Sequence, residues 1–160
     1  MFRKFFSLAI LFTILILMTS NASAISKSKA GTIPHTDVVV EANVYHNNTW
    51  IKFQTNKWVT SSKAFRDGSA FNVSQIRNRA TVHATGIGVS FAGVSGGSAS
   101  GNLISAQWTN WNAWISDLHG SYGYNLLSIV PLYVTTTSEV FAIFNGAKSP
   151  IIQVSVLTMF

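Results

Sequence analysis

The 160-residue chain has no cysteine, and only five acidic side chains stand against eleven Lys and Arg. Without cysteine there is no disulfide framework, no thiol nucleophile and no Cys-ligated zinc, so stability must come from packing and backbone hydrogen bonding. Charge is missing over a long internal stretch as well: residues 80–116 contain no Lys, Arg, Asp or Glu. No apolar run reaches the roughly 20 residues that a membrane-spanning helix needs. There is no internal repeat of the kind that builds solenoids or propellers, and no motif that reads DNA or RNA bases.

The longest apolar run, Phe5 to Met18, follows Arg3 and Lys4 and leads to Ala22-Ser23-Ala24. A short apolar run between a basic start and an A-x-A ending is the pattern of a secretory signal peptide, with cleavage expected after Ala24. The expected organisation is therefore a signal peptide at 1–24, a flexible leader at 25–34 and one β domain at 35–160. The exported portion, 136 residues, keeps nine basic and five acidic side chains, a net charge of +4. A chain of that length buries about two-thirds of the surface it exposes when unfolded, enough for one core. Export without cysteine fits usage in bacteria.

Strand patterns dominate. The run DVVVEANVYHNN and the alternation from Trp50 to Thr55 flank His46-Asn47-Asn48-Thr49, a turn composition, so a hairpin is expected, with a third short strand near Lys57 to Ser61. Asp67-Gly68 marks a tight turn in the loop 62–69. Ala80, Val82 and Ala84 share one phase and Ile87, Val89 and Phe91 the opposite one, which calls for a bulge near Thr85-Gly86. Gly93 to Gly101 has four glycines and three serines in nine residues, and reads as a mobile connection. Further strands are expected at Leu126 to Thr136, Val140 to Phe144 and Ile151 to Phe160, the last two joined at Asn145-Gly146 as a hairpin. Seven to nine short strands on one core imply an antiparallel β-sandwich, with a β-barrel as the alternative.

One segment breaks the two-residue period. In WTNWNAWISDLHG, residues Trp108, Trp111, Trp114, Ile115 and Leu118 fall in one arc of roughly 120° at 100° per residue, which predicts an amphipathic helix near 105–119. Ser105 would cap its start, His119 would sit in its last turn and Gly120 would end it. The economical role for that face is packing on a sheet. The alternative is an exposed aromatic surface, with Trp108, Trp111, Trp114, Tyr122, Tyr124, Trp50 and Trp58 as candidates for ligand or membrane contact.

Lys52, Lys57, Lys63, Arg66, Arg77 and Arg79 are candidates for a basic patch toward anionic lipid or a polyanionic wall polymer. The neutral, glycine-rich residues 86–101 offer a second membrane reading, an inserting hairpin, although a spanning strand needs about 9–11 residues of steady alternation and this stretch has fewer. Gly93-Val94-Ser95-Gly96-Gly97 resembles the G-D-S-G-G around the nucleophile of chymotrypsin-like serine proteases, with His46, Asp67 and Ser95 in that family's order. It lacks the aspartate before the serine, and a Gly/Ser linker produces such strings by composition. The histidines at 35, 46, 83 and 119 have no metal-binding spacing, and the carboxylates Asp37, Glu41, Asp67, Asp117 and Glu139 show no pairing in sequence.

These readings point to a secreted, non-enzymatic protein, without metal or cofactor, that binds an envelope polymer or an anionic membrane at a cell surface, in an antimicrobial or toxin-like role. Nucleic acid is not an expected partner. Two alternatives are a small secreted hydrolase of wall glycan and a matrix protein that self-associates through open strand edges.

Overall fold

The computed structural model describes residues 23–48, 56–85, 89–92, 97–100, 103–124 and 133–159. In chain order the strands are β1 (Ser23–Thr32), β2 (Val38–Asn48), β3 (Asn56–Arg66), β4 (Ser69–Ala70), β5 (Val73–Thr85) and β6 (Val89–Ala92). They continue with β7 (Gly97–Ser100), β8 (Leu103–Ala113), β9 (Ile115–Tyr124), β10 (Tyr133–Phe144), β11 (Ala147–Lys148) and β12 (Ile152–Met159). The first sheet has the order β1-β2-β3-β9-β6, with β4 also paired to β3. The second has the order β11-β10-β5-β8-β7, with β12 also paired to β10. Every pairing is antiparallel and neither sheet closes into a barrel.

The alternation read from the sequence is what lets the sheets share a core. On β5, Ile76, Asn78, Ala80, Val82 and Ala84 are buried, and on β12, Ile152, Val156 and Thr158 are buried while Gln153 and Ser155 face outward. The core has two apolar halves. One joins Val38, Val40, Ala42 and Ala64 of the first sheet to Val73, Ile76, Val140, Ala142 and Ile152 of the second. The other gathers Trp58, Leu118 and Tyr122 against Ala80, Val82, Ile104, Ala106 and Val134. Between the halves lies a buried polar layer centred on Asn78. Its Nδ2 donates to the carbonyl and hydroxyl oxygens of Thr60, at 2.8 and 3.0 Å, and its Oδ1 accepts from Ser62 and Ser138, each at 3.3 Å. A buried amide with all its groups paired ties β3 to β5 and β10 at one register.

The strands run between two ends. Both expected tight turns lie at one, the turn end: Asp67 and Gly68 have φ of 51° and 75°, and Asn145 and Gly146 have 49° and 78°, the consecutive left-handed pair that two-residue hairpins require. At the other, the Met159 end, β1 starts, β12 finishes, and Asn48, Thr85, Leu103, Tyr124 and Tyr133 lie at strand termini.

Several expectations need correction. No helix forms at 105–119; the segment is β8, a bend at Trp114, and β9, and no helix occurs among the described residues. Trp, Thr and Ile are good strand formers, and a spacing of three mimics helical periodicity while placing successive tryptophans in opposite strand phases. Asn112, at φ 47°, interrupts the β5–β8 ladder between Gln75↔Trp111 and Val73↔Ala113. The supposed leader at 25–34 is mostly β1, paired along its whole length with β2. The third strand is 11 residues long and continues through what read as a loop to Arg66. Within the glycine-rich connection, Gly97–Ser100 pairs with β8. Because β6 pairs in the first sheet and β7 in the second, the described parts of 86–101 do not form a hairpin with each other. The bulge expected at Thr85-Gly86, the strand at Trp50–Thr55, Ser95 and residues 125–132 fall wholly or partly outside the described residues.

Candidate functional site

Strands β8 and β9 carry the chain's tryptophan cluster round one corner of the molecule, passing from the second sheet to the first at Trp114. Beyond the short β7 and β6, which reach only residues 103–106 of β8 and 121–124 of β9, both strands leave one edge without a strand partner among the described residues. Side chains link the two edges instead. Ser116 Oγ donates to the Trp108 carbonyl at 3.0 Å, and Asn110 Nδ2 donates to the Ile115 carbonyl at 2.8 Å. The Trp114 carbonyl accepts from the Ala64 amide at 2.8 Å, which anchors the bend to β3.

The three tryptophans are exposed: Trp108 by 50%, Trp111 by 71% and Trp114 by 36%. The packing role for this face is therefore not what the structure holds. Trp108 stands in register with buried Asn78, yet at an open edge it is only half covered. Its Nε1–H donates to Asn110 Oδ1 at 2.9 Å, so the same Asn110 that clamps the edge also fixes the indole. Trp111 projects from the outer face of the second sheet opposite Gln75, and Trp114 leans on the Phe65 ring, with centroids 6.5 Å apart and planes tilted by 54°.

Beside Trp108 is a cleft of about 150 Å³ lined by Trp108, Asp117, Leu118 and His119. His119 also lines a shallower hollow of about 360 Å³ on the first sheet, with Lys57, Trp58, Val59, Gly120 and Ser121. An indole of fixed orientation, a carboxylate and an imidazole thus follow one another along the edge, with the Lys57 ammonium group one strand inward on β3. Such a surface can stack on an apolar ring face and hydrogen-bond the ring's polar rim.

Two other aromatic candidates are core residues. Trp58 is fully buried, its ring against Gly120, where an added Cβ would lie 2.5 Å from Cζ2. Tyr122 is buried in a stack with His46, centroids 5.4 Å apart, and shares a 2.9 Å hydrogen bond with His46 Nε2. His46 Nδ1 is 2.9 Å from Thr158 Oγ1, and burial pushes this imidazole down to about 4. Trp50 lies outside the described residues, as does the Tyr124 side chain.

The basic candidates do not converge. Lys57 and Lys63 lie on the outer face of the first sheet, while Arg77 and Arg79 lie on the opposite side of the molecule, the outer face of the second. Arg66 sits at the turn end, where its Nη2 and Nε bind Asp37 Oδ1 at 2.6 and 2.8 Å and its guanidinium covers the Phe71 ring. That ion pair holds the Asp37 carboxyl below the usual carboxylate range. Arg77 stacks on Phe141 and faces Glu139 at 3.6 Å, and Glu139 also accepts from Gln153 at 2.8 Å. Lys52 lies outside the described residues.

Among the described residues, His46 and Asp67 are not brought together, and Ser95 lies outside them. His46 pairs with Trp58 on the β2–β3 ladder and Asp67 follows Arg66, eight rungs away, roughly 26 Å along the strand. Among the described residues no three of His, Asp and Glu gather as a metal site. Sequence reasoning missed the positioning role of Asn110 and the edge-bridging role of Ser116. The available signal for Asn110 was its i+2 spacing from Trp108, which shares a face only if the segment is a strand.

No known relative was found. No family model matches the chain, and no curated protein or solved structure matches it significantly.

Proposed function

We propose that this chain is an exported, non-enzymatic binding protein, a β-sandwich whose tryptophan corner holds a glycan of a cell envelope. The observation that carries the proposal is the half-exposed indole of Trp108, held by Asn110 beside Asp117 and His119. An aromatic ring ordered before binding loses little side-chain entropy on binding, so its stacking energy is retained as affinity. The C–H face of a pyranose would cover the indole, and Asp117 and His119 are placed to meet its hydroxyls. Trp111 and Trp114, farther along the same corner, would extend contact to neighbouring sugars of a polymer.

Two features favour stacking on sugar over insertion of these tryptophans into lipid. The Trp108 N–H, which an interfacial tryptophan turns toward lipid headgroups, is already committed to Asn110. Polar Asn110 and Asp117 also line this corner, where insertion would have to dehydrate them. Binding rather than hydrolysis is favoured because Asp37 and Glu139 are engaged by Arg66 and by Arg77 and Gln153, and Asp117 is the one carboxylate lining the cleft.

The test is co-sedimentation of the secreted protein with purified wall sacculi and with insoluble glucan. Trp108→Ala and Trp111→Ala should each lower retention about tenfold, the loss of one good stacking contact, with melting temperature unchanged within about 2 °C. Unaltered retention by both variants refutes the site, and release of reducing ends by the unmodified protein refutes the non-enzymatic reading.

A further inference from the structure

The cleft beside Trp108 adjoins a hollow of opposite hydrogen-bonding character, and the difference narrows the class of glycan. On the outer face of the first sheet, Lys57 stands opposite Ser121 and Val59 opposite His119 on the β3–β9 ladder, with Tyr45 across from Val59 on β2. Lys57 and His119 are therefore diagonal neighbours, roughly 7–8 Å apart at the backbone, a distance that long side chains span. Together with Val59 and Ser121 they line the hollow of about 360 Å³, and His119 also lines the cleft of about 150 Å³ beside Trp108 and Asp117.

Lys57 differs from the other cations of its strands. Strands β3 and β5 carry Lys57, Lys63, Arg66, Arg77 and Arg79. Arg66 binds Asp37, Arg77 faces Glu139 at 3.6 Å, and Lys63 and Arg79 stand directly across their ladders from Glu41 and Glu139. Lys57 stands across from Ser121, and the next rung is Tyr45, Val59 and His119, so among the described residues no carboxylate is matched to it. Its ammonium group brings three donors and no acceptor. The carboxylate of Asp117, when ionised, is acceptor only and lines the cleft instead.

We infer that the hollow is a seat for an oxyanion on the bound sugar chain, a carboxylate or a phosphate substituent, so that the ligand of the tryptophan corner is an acidic glycan. The inference rests on the glycan reading of that corner. A ring stacked on Trp108 offers hydroxyl donors to Asp117, and the oxyanion of a neighbouring ring meets Lys57 above the apolar side chain of Val59. The same oxyanion in the cleft would be repelled by Asp117, so the two subsites set the direction in which the chain lies: an uncharged ring on the indole, a charged one toward β3. Lys57 is exposed, and one exposed ion pair is worth about threefold in affinity, added to the stacking that carries the binding.

The test is co-sedimentation with three insoluble polymers of one backbone: cellulose, cellulose with sparse carboxymethyl groups and cellulose with sparse phosphate groups, at about 0.15 M salt. Affinity for a charged polymer should exceed that for plain cellulose by about threefold, and the polymer with the larger excess identifies the oxyanion. Lys57→Gln should bring that ratio to about one, and Lys57→Arg should keep it. Lys148→Gln, which removes the same charge at the turn end, should leave it unchanged. Equal affinity for all three polymers overturns the inference. A ratio lowered as much by Lys148→Gln as by Lys57→Gln overturns it in favour of general attraction to a basic protein. The glycan reading fails separately: if Trp108→Ala changes affinity for none of the polymers while Lys57→Gln still abolishes the ratio, the oxyanion seat stands and sugar stacking on the indole does not.

Discussion

His46 carries the largest electrostatic consequence of any single residue in the described chain. It is wholly buried, its two ring nitrogens are engaged by Tyr122 and Thr158, and desolvation lowers its pKa from 6.5 to about 4. Between those values the unfolded chain binds a proton that the folded chain does not. Stability is therefore fully present above pH 6.5, falls as pH drops toward 4, and levels off for this group below that. The total is on the order of 3 kcal/mol. Urea unfolding across this range should show the decline, and His46→Gln should flatten it; an already flat profile for the native residue would contradict the burial. The Asp37 contribution belongs to a lower window, because its folded pKa is depressed below 3.8 and its stabilisation is lost only as pH falls through that range. Gly120 offers a steric counterpart. A methyl group there would meet the Trp58 ring at 2.5 Å, so Gly120→Ala should cost about 2–3 kcal/mol, read as a lowered melting temperature. The sequence suggested a helix terminator at this position; the fold needs the missing Cβ for a close approach across the β3–β9 pair.

At the scale of elements, the readable strands are those with one face buried and one wet. Ala80-Val82-Ala84 and Ile152-Val154-Val156 announce themselves because a two-residue period separates core from solvent. Asp67-Gly68 and Asn145-Gly146 do so because few residue pairs tolerate two consecutive left-handed positions. Strand β1 shows no such period, since it overhangs the edge of the first sheet. Lys27 and Lys29 share the core-side phase with Val44 and Ala42 and are nonetheless exposed. Backbone pairing with β2 and the close approach of Gly31 to Ile152 hold it there, and neither leaves a periodic mark on its side-chain chemistry; its lysines also guard an open edge. Strand β8 mimics a helix in sequence because its tryptophans follow an edge, not a buried face. The Asn78 layer is likewise invisible in sequence, because an Asn on a strand becomes a core residue only when Thr60, Ser62 and Ser138 arrive from other strands. Asn78→Ala should cost about 2–4 kcal/mol by orphaning those partners, whereas removing Asn78, Ser62 and Ser138 together for apolar residues should recover part of the loss. Denaturant midpoints for the single and triple variants decide this.

For the whole molecule, the distribution of charge matters more than its sum. A net +6 gathered on one face would make polymer binding fall steeply with salt; among the described residues Lys57 and Lys63 lie on one side and Arg77 and Arg79 on the other, so these cations do not form one face. Retention on wall glycan through the tryptophan corner should accordingly change by less than about twofold between 50 and 500 mM salt, measured by co-sedimentation. A loss of an order of magnitude would mean that cations, not indoles, carry the binding.

The chain by itself determined that the protein is built of strands without crosslinks, where its two tight turns fall, and which positions of β5 and β12 turn inward, since these depend on local period and backbone tolerance. Only the tertiary structure decided that Trp58 and Tyr122 are core while Trp108, Trp111 and Trp114 are surface. An apolar side chain carries no record of whether a second sheet will cover it; that depends on how far each sheet extends and where β7 and β6 stop short of the edges of β8 and β9.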